Sequence, residues 1–239
     1  YPLLLSVGPL ICALAAGNHA MIKISSASSQ FGAVLENALA EVFPQELVTV
    51  VNGGGAISDA FSHLAFDKLI FTGSTSVGKT VMAAAAQNLV PVILELGGKS
   101  PALVHSAMNI RDVAQRIAVG KLWNAGQTCV APDYMFIPKG KTAEFTKHYN
   151  DFVNTMYPTL RDNKDYTSIV NDKQYNRLQG YLEDARDQGA TIIELNSKKE
   201  SLTEVRKIAP TLLTGVTTEM EIMKNEILGP IPPIFDYER

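Results

Sequence analysis

Apolar and polar positions alternate in blocks along the first hundred of the 239 residues. Short apolar runs predict strands, and the longer segments between them have the length and pattern of helices. The predicted strands are 20–24, 46–51, 68–71 and 91–96, with helices at 28–43, 57–64 and 80–88. This order predicts a parallel sheet with helices on its faces. Such sheets bind ligands at the carboxyl ends of their strands.

A second α/β unit is predicted after the Gly97-Gly98 pair. Its strands are predicted at 101–105, 134–138, 190–195 and 209–215, and its helices at 110–124, 142–156 and 172–188. Asn109 precedes the first of these helices and is predicted to cap it. We therefore predict two domains, 1–96 and 97–239.

The opening segment, 1–17, is strongly apolar and could be mistaken for a membrane span. It is shorter than the roughly 20 residues that a span needs, and Gly8-Pro9 interrupts it. It also lacks the basic start of a signal peptide. We interpret it as a buried helix. Because the chain begins inside an apolar element and without Met, we expect it to be a piece of a longer protein.

Composition excludes several classes of function. Hydrophobic residues make up 46% of the chain, enough for a substantial core, and the formal net charge of −3 comes with no basic cluster. We therefore expect no nucleic-acid or membrane partner, since both need a concentrated cationic face. The two cysteines, Cys12 and Cys129, lie far apart, which favours a reducing compartment, the cytoplasm. The four histidines show no metal-ligand spacing, so no metal site is predicted.

The segment "GSTSVGKT" matches the P-loop pattern of nucleotide triphosphatases. Gly73 and Gly78 are followed by Lys79 and Thr80, and an apolar run precedes them. Glu95, at the end of the next predicted strand, could supply the acidic residue that holds magnesium. A triphosphatase is thus one hypothesis, and a non-catalytic fragment is another.

Two residues are candidates for chemistry. Cys129, in "AGQTCVAP", is either a small buried hydrophobe, as Cys12 is expected to be, or a nucleophile that Gly126 leaves accessible. Glu95 ends an otherwise apolar strand, where it is either solvated or a general base poised by partial desolvation. The local sequence leaves both pairs of alternatives open.

Taken together, "FTGSTSVG", "LELGGKSP" and "GQTC", with 34 positions from Glu95 to Cys129, resemble the aldehyde dehydrogenase superfamily. "GNHAMIKISS" and "APTLLTGVTTEMEIMKNEILGP" resemble two further motifs of that family. The similarity runs from Tyr1 to about Pro233. The stretch Val50–Val104 looks most like the branch that includes coniferyl aldehyde dehydrogenases. By this resemblance, Gly73–Gly78 corresponds to the family's cofactor loop, and Lys79 and Thr80 complete the P-loop pattern by chance.

The resemblance implies a fold and a reaction. The fold would be a partial Rossmann-like cofactor domain followed by a partial α/β catalytic domain. The reaction would oxidise an aldehyde, such as an aromatic one, with NAD or NADP. Cys129 would attack the aldehyde and carry a thioester, and Glu95 would activate the hydrolytic water on the other side of one cleft. A family asparagine, which would stand before Tyr1, would help to bind the oxyanion.

The resemblance also implies the cofactor contacts. Ser74, with Gly73 and Gly78, would meet the pyrophosphate, and Lys23 would reach the adenosine ribose. Glu226 would hold the nicotinamide ribose, while Leu96 and Leu228 would line the site. Leu228 stands where the family usually has Phe. Ser26 stands where many NAD-preferring members carry Glu, so we expect tolerance of NADP.

The remaining expectations follow from the same resemblance. Lys99 and Asn124 are interpreted as structural residues rather than chemical ones. We expect a homo-oligomer in the full-length protein, because the family is usually dimeric or tetrameric. We also expect little or no turnover from these 239 residues alone.

Overall fold

A computed structural model describes residues 1–238, which form two compact units, Tyr1–Gly97 and a second that begins at Gly98. The first unit alternates helices and strands. Its helices are α1 (Pro2–Ala15), α2 (Ser29–Ala40), α3 (Gly55–Ser62) and α4 (Thr75–Ala86), and its strands are β1 (Ala20–Lys23), β2 (Val48–Val51), β3 (Leu69–Gly73) and β4 (Val92–Leu96). All four predicted strands are present, which confirms the predicted α/β class for this region.

The strands of the first unit pair in parallel. β1 pairs with β2, with Ala20 opposite Val48, and β3 pairs with β4, with Gly73 opposite Leu96. Within the described residues these are two separate two-stranded sheets. The carboxyl ends of β3 and β4 therefore lie side by side, at the edge where such sheets bind ligands.

The opening apolar segment is the helix α1, but the prediction that it is buried is wrong. Pro9 lies inside this helix, and only Leu10 of its residues is buried. Leu4 is 67% exposed, and Cys12, expected to be a buried hydrophobe, is also exposed. Apolar sequence alone did not decide burial here, because burial needs a second apolar surface to pack against. No helix within residues 1–238 is long and apolar enough to cross a membrane.

The second unit contains both parallel and antiparallel sheet. Its elements are β5 (Pro101–Leu103), α5 (Ile110–Leu122), β6 (Tyr134–Pro138), α6 (Thr142–Met156), α7 (Asp172–Asp187), β7 (Thr191–Glu194), β8 (Thr211–Thr214), α8 (Glu221–Lys224) and β9 (Ile234–Tyr237). The order β5-β6-β9 forms a three-stranded parallel sheet, and β7 pairs antiparallel with β8. The prediction missed α8 and β9, which are short.

One large hydrophobic cluster holds the second unit together. It includes residues of α5, α6, α7 and the strands, and its most deeply buried large members are Tyr149, Tyr166, Phe145, Leu122, Met135, Ile137, Leu178, Leu212 and Leu213. Asn109 caps α5 as predicted, because its Oδ1 accepts hydrogen bonds from the backbone N–H groups of Arg111 and Asp112. The loops that carry Cys129 and Glu226 start from this packed scaffold.

Candidate active site

The loop that carries Cys129 begins with an unusual backbone turn. After α5 ends at Leu122, the residues Asn124, Ala125 and Gly126 have φ values of +53°, +51° and +73°. Asn124 and Gln127 stabilise this turn, because each side-chain amide donates to the other's backbone carbonyl, at 3.2 and 3.1 Å. Asn124 is thus a structural residue in the described chain.

Gln127 also ties this loop to the segment before α7. Its Nε2 donates to the carbonyl of Ser168, at 3.1 Å, and its Oε1 accepts from the N–H of Val170, at 2.9 Å. One amide therefore satisfies backbone groups of two loops. The position of Cys129, two residues later, is set by these bonds.

Cys129 is exposed in the second unit. The interpretation of Cys129 as a buried hydrophobe is therefore wrong. Val130, its neighbour, is exposed as well, and Ala131 on the far side is buried. An accessible thiol on a rigid loop is the arrangement that a nucleophilic cysteine requires.

Gly126 does not leave open space for a ligand, contrary to the sequence-based interpretation. A Cβ atom at this position would stand 2.4 Å from the carbonyl oxygen of Gly229 and 3.0 Å from that of Lys121. The missing side chain, together with the positive φ, lets the backbone at Gly229 approach the cysteine loop. The loop of Cys129 and the loop of Glu226 and Leu228 are thus in direct contact.

Glu226 lies half-buried in the segment after α8, and Leu228 follows with a positive φ of +48°. Burial raises the pKa of the Glu226 carboxyl above its ordinary value, and the charge of Asp133 adds to the rise. A hydrogen bond from the backbone N–H of Gly98 and the charges of Arg177 and Lys121 act in the opposite direction.

An ion pair that the sequence did not reveal supports this segment. Lys99 forms a salt bridge with Asp133 and donates to the carbonyls of Ile222, at 3.1 Å, and Asn225, at 2.9 Å. Asp133 is almost fully buried and accepts from the N–H of Ile227, at 2.9 Å. The interpretation of Lys99 as structural agrees with these contacts. An acidic residue directly before the apolar run 134–138 was the signal that could have identified Asp133.

Arg177 and Lys121 are two further residues near Glu226 that the sequence analysis did not identify. Arg177, on α7, donates to the carbonyls of Glu226 and Ile227. Lys121, on α5, is fully buried, and its Nζ has no hydrogen-bond partner. Burial lowers the pKa of Lys121 to about 8, and the nearby charge of Asp133 limits the fall. Neither position carried a sequence signal, because a basic residue on an amphipathic helix usually faces solvent.

In the first unit, the predicted pyrophosphate loop proves to be the start of α4. Ser74 is the N-cap, and its Oγ accepts from the N–H of Val77 at 3.4 Å. Gly78 lies within the helix, where a Cβ would stand 2.8 Å from a methyl carbon of Leu96. The structure therefore brings Gly73, Ser74, Gly78 and Leu96 together.

The same observation removes the P-loop hypothesis. A phosphate-cradling loop needs several residues between the strand and the helix, whereas here only Ser74 separates β3 from α4. Lys79 and Thr80 lie in the helix, so the predicted helix start at residue 80 was five residues late. What remains is a helix N-terminus, whose free N–H groups favour an anion.

Glu95 lies on β4 directly opposite Thr72 on β3. It is one residue from the end of its strand, at the edge where α4 begins. Its side chain is exposed, so the partial desolvation expected from the sequence is absent in the described unit. In the described unit, Glu95 therefore has the surroundings of a solvated strand end, the other alternative that the sequence left open.

Lys23 and Ser26 occupy the end of β1 and the short 3₁₀ turn after it. The Nζ of Lys23 donates to the carbonyl of Ile24 at 2.6 Å, and partial burial lowers its pKa. Ser26 is exposed. The two residues lie near each other in sequence and at one strand end, which suits contacts to a single ligand.

The chain is similar in sequence to known proteins. The model of the aldehyde dehydrogenase family matches residues 1–239. A probable coniferyl aldehyde dehydrogenase of Pseudomonas aeruginosa is 51% identical over 239 residues, covering 100% of this chain and 49% of that protein. The coniferyl aldehyde dehydrogenase of Pseudomonas sp. is 46% identical, over 99% of this chain and 50% of that protein.

Solved structures agree. The substrate-bound state of Staphylococcus aureus AldH is 40% identical, with a TM-score of 0.92 over 100% of this chain and 51% of that one. Mycobacterium tuberculosis aldehyde dehydrogenase complexed with NAD+ is 28% identical, with a TM-score of 0.88 over 100% and 50%. The chain belongs to the aldehyde dehydrogenase family, and it spans about half the length of the relatives it matches.

Proposed function

We propose that the protein to which this chain belongs oxidises an aldehyde to a carboxylic acid with a nicotinamide dinucleotide. The observation that carries the proposal is the exposed Cys129 on a loop that contacts the Glu226 loop through Gly126 and Gly229. Membership of the aldehyde dehydrogenase family supports it. Two relatives that are named for coniferyl aldehyde support an aromatic aldehyde as substrate.

In this proposal the chain's own residues supply the nucleophile and the base. The thiolate of Cys129 attacks the aldehyde carbon, and its backbone N–H helps to stabilise the resulting oxyanion. A bound dinucleotide would supply the acceptor for the hydride of the former aldehyde carbon, so that Cys129 would then carry the acyl group as a thioester. Glu95 then takes a proton from water, and the hydroxide so formed releases the acid and restores the thiol.

The residues present fit a dinucleotide. The N-terminus of α4, with Ser74 as its cap, provides N–H groups for the pyrophosphate. The half-buried Glu226 provides a carboxylate for ribose hydroxyls, and Lys23 provides a cation at the end of β1. We propose that residues 1–96 form the dinucleotide-binding domain and residues 97–239 the catalytic domain, with Leu96 and Leu228 lining the cofactor.

We propose, on the basis of Ser26, that the full-length protein accepts NADP as well as NAD. It is exposed, and a neutral hydroxyl neither binds the 2′-hydroxyl as strongly as a carboxylate nor repels a 2′-phosphate. The ratio of kcat/KM for the two cofactors in the full-length enzyme tests this. A preference for NAD above roughly a hundredfold, about 2.7 kcal/mol, contradicts it.

We propose further that the full-length protein is a homo-oligomer and acts in the cytoplasm. Both cysteines of this chain are free thiols, which suits a reducing compartment. The proposed small-molecule partner is the aldehyde, with no nucleic-acid or membrane partner.

The deciding experiment measures NADH formation by the full-length protein with coniferyl aldehyde and with an aliphatic aldehyde. We expect Cys129→Ala to abolish turnover, and Cys12→Ala, which removes the other exposed thiol, to leave it within about twofold of the parent. Turnover that survives Cys129→Ala would contradict the assignment. The 239-residue chain alone should show little activity.

A further inference from the structure

Side chains bind backbone carbonyls and a backbone N–H group in the segment 225–227, which carries Glu226. Lys99 binds the carbonyl of Asn225, and Asp133 binds the N–H of Ile227. Arg177 binds two further carbonyls of the same segment, those of Glu226 and Ile227. Side chains thus bind three carbonyls and one N–H of this segment, and these bonds restrain its backbone conformation.

Arg177 makes the most specific of these contacts. Its Nη1 donates to the carbonyl of Glu226 at 3.1 Å, and its Nη2 donates to that of Ile227 at 2.7 Å. Its Nε donates to Oε1 of Gln174 at 2.6 Å, and its guanidinium carbon lies 5.1 Å from the ring centre of Tyr181. All three nitrogens and one face of the group are engaged, so its plane is fixed.

These bonds of Arg177 fix the backbone position from which the side chain of Glu226 projects. The carbonyl of Glu226 cannot rotate away without breaking its bond to Arg177, and Ile227 is fully buried. Beyond it, the chain turns at Leu228 with positive φ, and Gly229 packs against the side chain of Leu178, next to Arg177. The backbone on either side of the Glu226 Cα therefore has little freedom.

Arg177 also acts on Glu226 through its charge. Its positive charge lowers the pKa of the Glu226 carboxyl, against the rise that burial causes. The other charged groups facing this carboxyl are Asp133, which raises its pKa, and Lys121, which lowers it. Removing the charge of Arg177 should raise that pKa further, whereas Arg177→Lys should keep it near its present value.

We propose that Arg177 is a positioning residue, which holds the Glu226 carboxylate ready for a ribose hydroxyl of the dinucleotide by clamping the main chain of Glu226 and Ile227. The inference rests on the proposed function of Glu226 in cofactor binding. Arg177 acts through the loop and needs no contact with the cofactor.

The test uses the full-length enzyme with Arg177→Lys and Arg177→Met, and calorimetric titration of NAD between about pH 5 and pH 9. Arg161→Lys is the matched control, because Arg161 also donates to a carbonyl, that of Ser201, at 2.9 Å, but lies away from this loop. The parent's affinity should fall as the pH drops through the raised pKa of Glu226, since a protonated carboxyl accepts poorly from ribose hydroxyls.

Arg177→Lys should weaken NAD binding roughly tenfold above the pKa of Glu226, because an ammonium cannot hold both carbonyls in one plane. Arg177→Met should weaken it at least as much and should also move the pH midpoint upward. The control should change neither. Iodoacetamide labelling of Cys129 without cofactor should stay at the parent's rate in all variants, which separates loss of positioning from general unfolding.

NAD affinity in Arg177→Lys equal to that of the parent or of the control overturns the proposal while leaving the proposed function intact. If Arg177→Met does not fold, Arg177→Lys alone decides. If the parent enzyme itself neither binds NAD nor oxidises aldehydes, the proposed function fails, and this inference fails with it.

Discussion

The two units of the chain bury apolar surface very differently. The second unit encloses one extended cluster, in which residues such as Tyr149 and Leu212 are completely buried. The cluster of the first unit consists of Leu69, Val81, Ala85 and Val90 with a few partly buried neighbours. Large apolar side chains of the first unit lie on its surface, including Leu3, Leu4, Ile11, Val34 and Val42.

The difference shows that apolar content alone does not produce a core, since the less buried first unit is the richer of the two in apolar residues. Burial of apolar side chains is the main favourable contribution to folding, so the second unit should carry most of the stability of the described chain. Its firm scaffold also supports the loops of Cys129 and Glu226. The proposed cofactor residues Ser74 and Lys23, by contrast, lie on the less buried unit.

The largest expected effect tests the difference in burial directly. Leu212→Ala removes a fully buried side chain of β8 and should lower the free energy of unfolding by about 2–5 kcal/mol. Leu4→Ala removes a side chain of α1 that is 67% exposed, and its cost should stay below about 0.5 kcal/mol. Denaturant unfolding of the 239-residue chain measures both.

Hydrogen exchange of the same chain gives a second measurement of that comparison. Backbone amides of β6 and β8 should exchange more slowly than those of β1 and β3. Equal protection in the two units, or equal costs of the two substitutions, would show that the difference in burial does not govern stability.

Two buried lysines of the second unit should respond in opposite directions. Lys207 is largely buried, and its Nζ donates to the carbonyls of Leu160, Arg161 and Asn163, each at 2.8 Å. Lys207→Met should lower the free energy of unfolding by about 2–3 kcal/mol, because it leaves these carbonyls unbonded. Lys121→Met should raise it by about 1–2 kcal/mol at neutral pH, because Lys121 has no such partner.

The pH dependence sharpens the case of Lys121. Its pKa is lowered from 10.5 to about 8, so the folded chain binds fewer protons there than the unfolded chain between these values. This group therefore makes stability rise as the pH increases from about 8 to 10.5. In Lys121→Met that part of the rise should disappear. A parent and a variant with identical slopes of unfolding free energy against pH would contradict the assignment.

The smallest expected effect compares two helix caps. Asn109 accepts from two backbone N–H groups at the start of α5, and Asn109→Ala should cost about 1 kcal/mol. Ser74 accepts one bond at 3.4 Å at the start of α4, so Ser74→Ala should cost less than about 0.5 kcal/mol. Thermal unfolding of the two variants measures the difference. A larger cost for Ser74→Ala would reverse the expected order.

Periodicity of apolar residues was sufficient to predict every strand except β9 and most of the helices, because the spacing of apolar residues reflects which face of an element is turned inward. It failed at α1, where Leu10 alone is buried, and at the start of α4, where "STSV" was assumed to be a loop. Ser74 is instead an N-cap, and the helix begins directly after it.

The candidate site was predictable only where residues form a motif in one stretch of sequence. Cys129 and Glu226 belong to such stretches. Asp133, Lys121 and Arg177 act on Glu226 from other elements, 93, 105 and 49 positions away, so only the folded chain brings them to it. A lysine on a helix gives no sign that it will be fully buried, and an arginine gives no sign that it will bind main-chain carbonyls.

The contact at Gly126 has a consequence for any redesign of the proposed active site. Since the carbonyl of Gly229 occupies the place of a side chain at position 126, any residue larger than glycine there would displace the segment 225–229. A library that varies residues 124–130 alone, or 225–229 alone, will then contain mostly variants in which the unchanged segment has been displaced. Randomising both segments together gives the better chance of a new specificity with an intact nucleophile.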